Sequence, residues 1–231
     1  MIDWFLISAI IAGLLFPLFA IYGSRNIRQL LEEGSTNKTL IFRWTSIELI
    51  ALGGIVMAPF WITGVSLDTI GLSFISNPLY VAILFTITAI VFWLLWQMKI
   101  NQETAETIKS QYDAISFLMP EQQGEYRLTV FVSYVAGIFE EIAYRGFLLW
   151  FLSGQMHIVP AIILANLPFA MAHLTSTGVK NSFMAFILAL VFTAAFLLTG
   201  SLWLPILLHI LVDLYSMTMY YRGYRVRALA G

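Results

Sequence analysis

Apolar residues in this chain come in runs long enough to cross a bilayer, broken by short polar stretches. About twenty apolar residues span the hydrocarbon. On that template the pattern predicts an all-α, polytopic membrane helical bundle of about seven transmembrane helices, near 4–23, 43–63, 78–98, 128–153, 157–176, 180–200 and 204–221. Trp4, Trp44, Trp61, Trp96, Trp150 and Trp203 fall close to predicted ends, where amphipathic rings anchor at the interface. Two connections are too polar to be buried in lipid. Arg25–Lys38 predicts a short interfacial helix ending at Gly34. Residues 101–126 carry Glu103, Glu106, Asp113, Glu121 and Glu125, with Ile108, Tyr112, Ile115 and Leu118 at helical spacing, which predicts an amphipathic helix on the membrane surface.

The expected organisation is therefore one integral membrane domain, 1–231. It divides into N-terminal spans (1–98) expected to be variable, a cytoplasmic amphipathic segment (99–127) and a functional core (128–221). No internal repeat or low-complexity tract interrupts it.

Composition agrees with this pattern. Hydrophobic residues make up 60% of the chain and charged residues 11%, against about 25% charged in soluble domains. The net charge of −1 gives no basic field for nucleic acid. Lys and Arg sit in alternate connections (Arg25, Arg28, Lys38; Lys99, Lys109, Arg127; Lys180; Arg222, Arg225, Arg227). By the positive-inside rule the N-terminus is expected outside and the C-terminus in the cytoplasm, in the plasma membrane if the source is prokaryotic. The first apolar run has no basic leader or small-residue cleavage site, so it is expected to be a retained helix. The absence of cysteine excludes thiolate nucleophiles, disulfides and Cys-type zinc sites.

Against this apolar background, Glu140, Glu141 and Arg145 stand inside the fourth predicted span. A charge at mid-bilayer costs about 2.5–3.5 kcal/mol on insertion scales, so such residues are functional candidates by default. On an α-helix Glu141 and Arg145 are i,i+4 neighbours and pair on one face, while Glu140 points about 100° away and is left available as a base. Gly137, one turn earlier, admits a close neighbour. A purely structural, helix-bridging trio is the competing explanation.

His173 follows Asn166 by seven residues on the fifth span. His209 and Asp213 are an i,i+4 pair on the seventh. His157 falls at an interface and reads as solvated. Two hydrolytic chemistries fit the set. Either Glu140 with His173 activates a water while His209 and Asp213 support an oxyanion, or Glu140, His173 and His209 hold a divalent metal, zinc by ligand type. There is no H-E-x-x-H motif and no G-x-S-x-G elbow.

Three motifs in order, E-E-x-x-x-R (Glu140, Glu141, Arg145), F-x-x-x-H (Phe169, His173) and H-x-x-x-D (His209, Asp213), make residues 128–221 resemble the CPBP family of intramembrane proteases. That family is also called the Abi or type II CAAX prenyl endopeptidase family. The resemblance implies an endopeptidase acting on a peptide or lipidated protein at the membrane, with Glu140 as general base and His173 as its partner. It implies that His209 and Asp213 support the oxyanion and that Glu141 and Arg145 shape the site. The family often carries Asn where this chain has Asp213. An ionised Asp cannot donate to an oxyanion, so Asp213 is either protonated or orients and charges His209. The resemblance implies no required cofactor, with zinc the alternative.

At about 1.5 Å per residue, Glu140 and His209 come out at mid-depth and His173 nearer the cytoplasmic end. Convergence requires the fifth span to extend, tilt or kink, with Pro168 a means. The cavity is then expected to open to the cytoplasmic side, within reach of 99–127. The rival readings are a non-catalytic scaffold or bacteriocin-immunity protein of the same fold, and a proton-coupled transporter. The transporter predicts polar counterparts in the first three spans, where Glu48 is the one candidate and reads as close to an interface.

Overall fold

A computed structural model of the chain describes residues 3–73 and 78–230; side chains at 78, 81, 85, 96 and 175–177 fall outside that description, and with them the expected anchor Trp96. The described residues are helical throughout, joined by turns. In chain order the helices are α1 (Trp4–Ser24), α2 (Ile27–Glu32), α3 (Lys38–Thr63), α4 (Pro78–Gln97) and α5 (Gln102–Gln111). Next is α6 (123–153), followed by α7 (Ile158–Ala172), α8 (Leu174–Thr199) and α9 (Trp203–Ala228).

Four of these are long and apolar enough to cross a membrane: α1, α3, Gly178–Thr199 within α8, and α9. They make the chain an integral membrane protein. They correspond to the predicted spans 4–23, 43–63, 180–200 and 204–221. Helix α7, at 15 residues, covers about 22 Å at 1.5 Å per residue, less than the roughly 30 Å of hydrocarbon. Helix α6 begins at Gln123, several residues before the predicted 128, and carries its charges internally. Helix α9 runs on to Ala228 and takes Arg222, Arg225 and Arg227 with it.

Local chemistry sets the ends. The Asp3 and Asn37 side chains accept from Leu6 N at 3.1 Å and Leu40 N at 2.9 Å, and so cap α1 and α3. Both caps satisfy amides that have no partner within the helix. The Glu125 carboxylate accepts from Glu121 N at 2.8 Å and Gln122 N at 3.2 Å at the start of α6. The predicted interfacial helix exists as α2, stopped just before Gly34.

Helix α6 packs against α3 on one side and α9 on the other, and α7 pairs with α8. Their shared core includes Leu52 and Val56 of α3, Tyr144 and Phe147 of α6, Phe169 of α7 and Ile206 of α9. A smaller cluster holds the 99–127 segment. Ile108 and Met119 are buried against Met219 and Tyr220 of α9, and Arg227 Nη1 donates to Ala105 O at 2.6 Å. Lys38 ties this segment to α3 by donating to Met119 O at 2.8 Å and pairing with Glu121 at 3.4 Å. The amphipathic segment thus covers the end of the bundle that carries most of the basic residues.

Candidate active site

The site grows from a departure in α6. The helix is α-helical to Glu140, π-helical over Glu141–Leu148, and α-helical again over Leu149–Ser153. The sequence reading treats this stretch as a uniform α-helix; the structure corrects it. π-helical turns are rare and concentrate at functional sites. The predicted Glu141–Arg145 pair forms within that turn, Arg145 Nη1 to Glu141 Oε1 at 3.0 Å, with both side chains fully buried. The guanidinium carbon also lies 4.6 Å from the Phe169 ring centre and 5.6 Å from that of Phe192, so aromatic faces add to the stabilisation of a desolvated cation. Arg145 Nε and Nη2, Glu141 Oε2 and Tyr144 OH are buried with no hydrogen-bond partner among the described residues.

Gly137 determines how close α9 approaches. A Cβ there would stand 2.5 Å from Ile210 Cγ1, 3.1 Å from Ile210 N and 3.3 Å from Ile206 O. The backbones therefore meet where His209 projects toward α6. His209 Nδ1 lies 2.7 Å from Glu141 Oε1, the oxygen that also receives Arg145. A carboxylate accepts, so this contact assigns the proton to Nδ1 and aims Nε2 the other way. Nε2 faces Glu140 Oε2 at 3.6 Å and Asp213 Oδ2 at 3.9 Å. Both separations exceed a hydrogen bond. The imidazole is stacked on Phe192, centroid distance 5.2 Å, and meets the edge or face of Phe169 at 5.8 Å. The sequence reading brings His209 to Asp213 and to the Glu140 site; the bond to Glu141 is what the structure adds.

His173 arrives from the end of α7. It is the first residue past Ala172, with Pro168 inside the last turn. Its Nδ1 is 2.9 Å from Phe169 O, and its ring lies 4.9 Å from that of Phe169, so one phenyl ring touches both imidazoles. Asn166 does not join them. It clamps α7 to α8, donating to Thr193 Oγ1 at 2.9 Å and to Ile162 O at 2.8 Å. Ser182 adds a second tie by donating to Ala170 O at 2.5 Å. His157 caps α7, its Nδ1 accepting from Val159 N at 3.4 Å, far from the chemistry.

Glu140 and His173 form part of the wall of one cavity of about 410 Å³. Phe16 and Phe19 of α1, Trp44 and Glu48 of α3, and Leu118 of the 99–127 segment complete much of the rest. The expected reach of that segment to the cavity is therefore found. Glu48 gains a place that the sequence reading does not give it: it lies ten residues into α3, about 15 Å from its start, and lines the cavity. An ionisable side chain within an apolar run is the signal that points to it.

The three candidate zinc ligands do not close into a cage. Among the described residues no group of three His, Cys, Asp or Glu side chains is placed to hold a metal ion. The arrangement instead offers the Glu140 carboxylate and the His173 imidazole on one cavity wall, with His209 fixed by the buried Glu141–Arg145 pair.

Residues 122–215 match the family model of the Rce1-like type II CAAX prenyl endopeptidases. All six candidate residues, from Glu140 to Asp213, fall within the matched stretch. The comparison with curated proteins and the comparison with solved structures each give no match.

Proposed function

With residues 122–215 belonging to the Rce1-like type II CAAX prenyl endopeptidase family, we propose that this membrane protein is an intramembrane endopeptidase that hydrolyses a peptide bond by glutamate-activated water. The observation that carries the reading is that Glu140 and His173 share one cavity wall while Glu141 turns His209 toward Glu140. In the proposed reaction Glu140 takes a proton from water and the hydroxide adds to the scissile carbonyl. His209, as the doubly protonated imidazolium between Glu141 and Glu140, donates through Nε2 and stabilises the oxyanion. The proton returns to the leaving amine as the C–N bond breaks, with His173 assisting Glu140. Asp213 supplies charge beside Nε2, and Glu141 with Arg145 holds the imidazole in register.

The proposed substrate class is a prenylated CAAX-type C-terminus or a small membrane peptide. In the proposed orientation the N-terminus is outside, the C-terminus is cytoplasmic, and the cavity opens to the cytoplasm beneath the 99–127 segment. Seven crossings remain the proposed count, with α4, α6 and α7 completing the four long apolar helices. The test is cleavage in proteoliposomes of two quenched reporters, a farnesylated CAAX peptide and an unmodified amphipathic peptide, with and without a chelator. Chelator-insensitive hydrolysis of at least one reporter is expected. No hydrolysis of either removes the protease reading, and loss in chelator restored by zinc removes the metal-free mechanism.

A further inference from the structure

On the side of α9 away from the catalytic cavity, a groove of about 560 Å³ runs between α4, α6 and α9. Its length is set by Tyr126, Val130 and Tyr134 on α6, two turns or about 12 Å apart end to end, and by the stretch from Leu211 to Arg222 on α9. One end is apolar, with Phe92, Val130, Leu211 and Leu214; the other is polar, with Tyr126 OH 3.0 Å from Thr218 Oγ1 and the Arg222 guanidinium beside them.

Arg222 is the informative residue. Its Nη1 donates to Leu95 O at 2.8 Å and its Nη2 to Met98 O at 2.6 Å, closing the C-terminal end of α4. A guanidinium has five N–H donors, so these two bonds leave donors over. Among the described residues no carboxylate lies within ion-pair distance of it. Lys99 follows Met98, whose carbonyl Arg222 holds, and Arg225 is one turn further along α9, so the polar end is cationic without a counter-charge. At the groove's other end Phe92 and Tyr134 are about half exposed. The chain crosses a membrane, so that apolar end faces acyl chains.

We propose that this groove is a binding site for an anionic phospholipid, with the headgroup phosphate at Arg222, Tyr126 and Thr218 and one acyl chain along Val130, Leu211 and Leu214. The geometry suits an amphiphile: a row of apolar side chains ends at an unneutralised fork of N–H donors, the group that matches phosphate geometry best. Basic clusters at the cytoplasmic end of membrane helices recognise acidic lipid headgroups by the same electrostatics. The site is separate from Glu140 and does not depend on the protease reading.

The test uses delipidated full-length protein in neutral detergent, titrated with dioleoyl-phosphatidylglycerol, dioleoyl-phosphatidylcholine or inorganic phosphate. Thermal unfolding and native mass spectrometry are the readouts. The phosphatidylglycerol is expected to bind at least tenfold more tightly than the phosphatidylcholine of the same chains, and free phosphate to have no effect. Arg222→Gln is expected to bring the two lipids within about twofold of each other. Val130→Trp, which fills the groove and leaves the α4 cap intact, is expected to weaken both. Equal binding of the two lipids by the wild-type protein overturns the proposal. So does stabilisation by phosphate alone, or wild-type affinity for phosphatidylglycerol in Val130→Trp.

Discussion

Glu141 Oε1 lies 2.7 Å from His209 Nδ1 and 3.0 Å from Arg145 Nη1. A single carboxylate oxygen therefore couples the fourth predicted crossing to the last, and every bond in that coupling is buried. The pair Glu141–Arg145 is a local i,i+4 contact, but its consequence is tertiary, because it decides which nitrogen of His209 faces Glu140.

Removing Glu141 strands a guanidinium in the core. Breaking a buried pair by deleting one partner costs about 3–5 kcal/mol, more than the pair itself is worth. Glu141→Ala is expected to lower stability by that order, read as a large fall in melting temperature in detergent. Glu141→Gln, which still accepts from both neighbours, is expected to fold while its activity drops. Equal melting temperatures for Glu141→Ala and wild type would show that the pair is not buried as described.

The close approach at Gly137 gives a second expectation. Gly137→Ala forces Ile210 and the α9 backbone outward by a few tenths of an ångström, and overpacking of this kind costs about 1–3 kcal/mol. The shift also lengthens the Glu141–His209 contact. The variant is expected to lose activity out of proportion to its stability, measured as turnover of the folded fraction. Gly137→Leu is expected not to fold.

The α7–α8 clamp is testable without any substrate. Asn166→Ala removes the amide that joins Thr193 Oγ1 and Ile162 O. Unmaking such buried hydrogen bonds costs roughly 1–3 kcal/mol. Thermal unfolding of Asn166→Ala and Thr193→Val is expected to show similar losses, and the double variant less than their sum, since the two share one bond.

The 99–127 segment is held to α9 by Arg227 and the Ile108–Tyr220 contacts. Arg227→Gln is expected to loosen that segment locally, so trypsin cuts at Lys99 and Lys109 faster while the global melting temperature changes little. Such local opening is drawn from regions with few buried contacts. Unchanged cleavage would mean the apolar contacts hold the segment unaided.

Much of the site could be read from residue types and spacing alone. Charges in apolar runs are costly, so Glu140, Glu141, Arg145, His173, His209 and Asp213 stood out, and the structure brings them to one region. The Gly137 contact and the covering role of 99–127 followed from the same patterns. What could not be read depended on backbone detail and on partners distant in sequence. The π-helical stretch has no signature in periodicity, so the α-helical angles assigned to it were wrong. The Glu141–His209 contact spans 68 residues and was hidden behind the obvious local pair. That Glu48 lines the same cavity as Glu140 depends on how α3 packs against the rest of the bundle, which periodicity does not encode.

The central claim is that Glu140 activates the attacking water while its neighbours hold the site. The most direct measurement is hydrolysis of the better peptide reporter by Glu140→Gln in proteoliposomes, at matched protein and with melting temperature recorded alongside. General-base catalysis contributes about 10²–10⁴-fold. The account predicts a loss of at least a hundredfold with the melting temperature kept, because Gln keeps the shape of the side chain that faces His209 and still carries an acceptor oxygen. A Glu140→Gln variant that is folded and cleaves at the wild-type rate would contradict it.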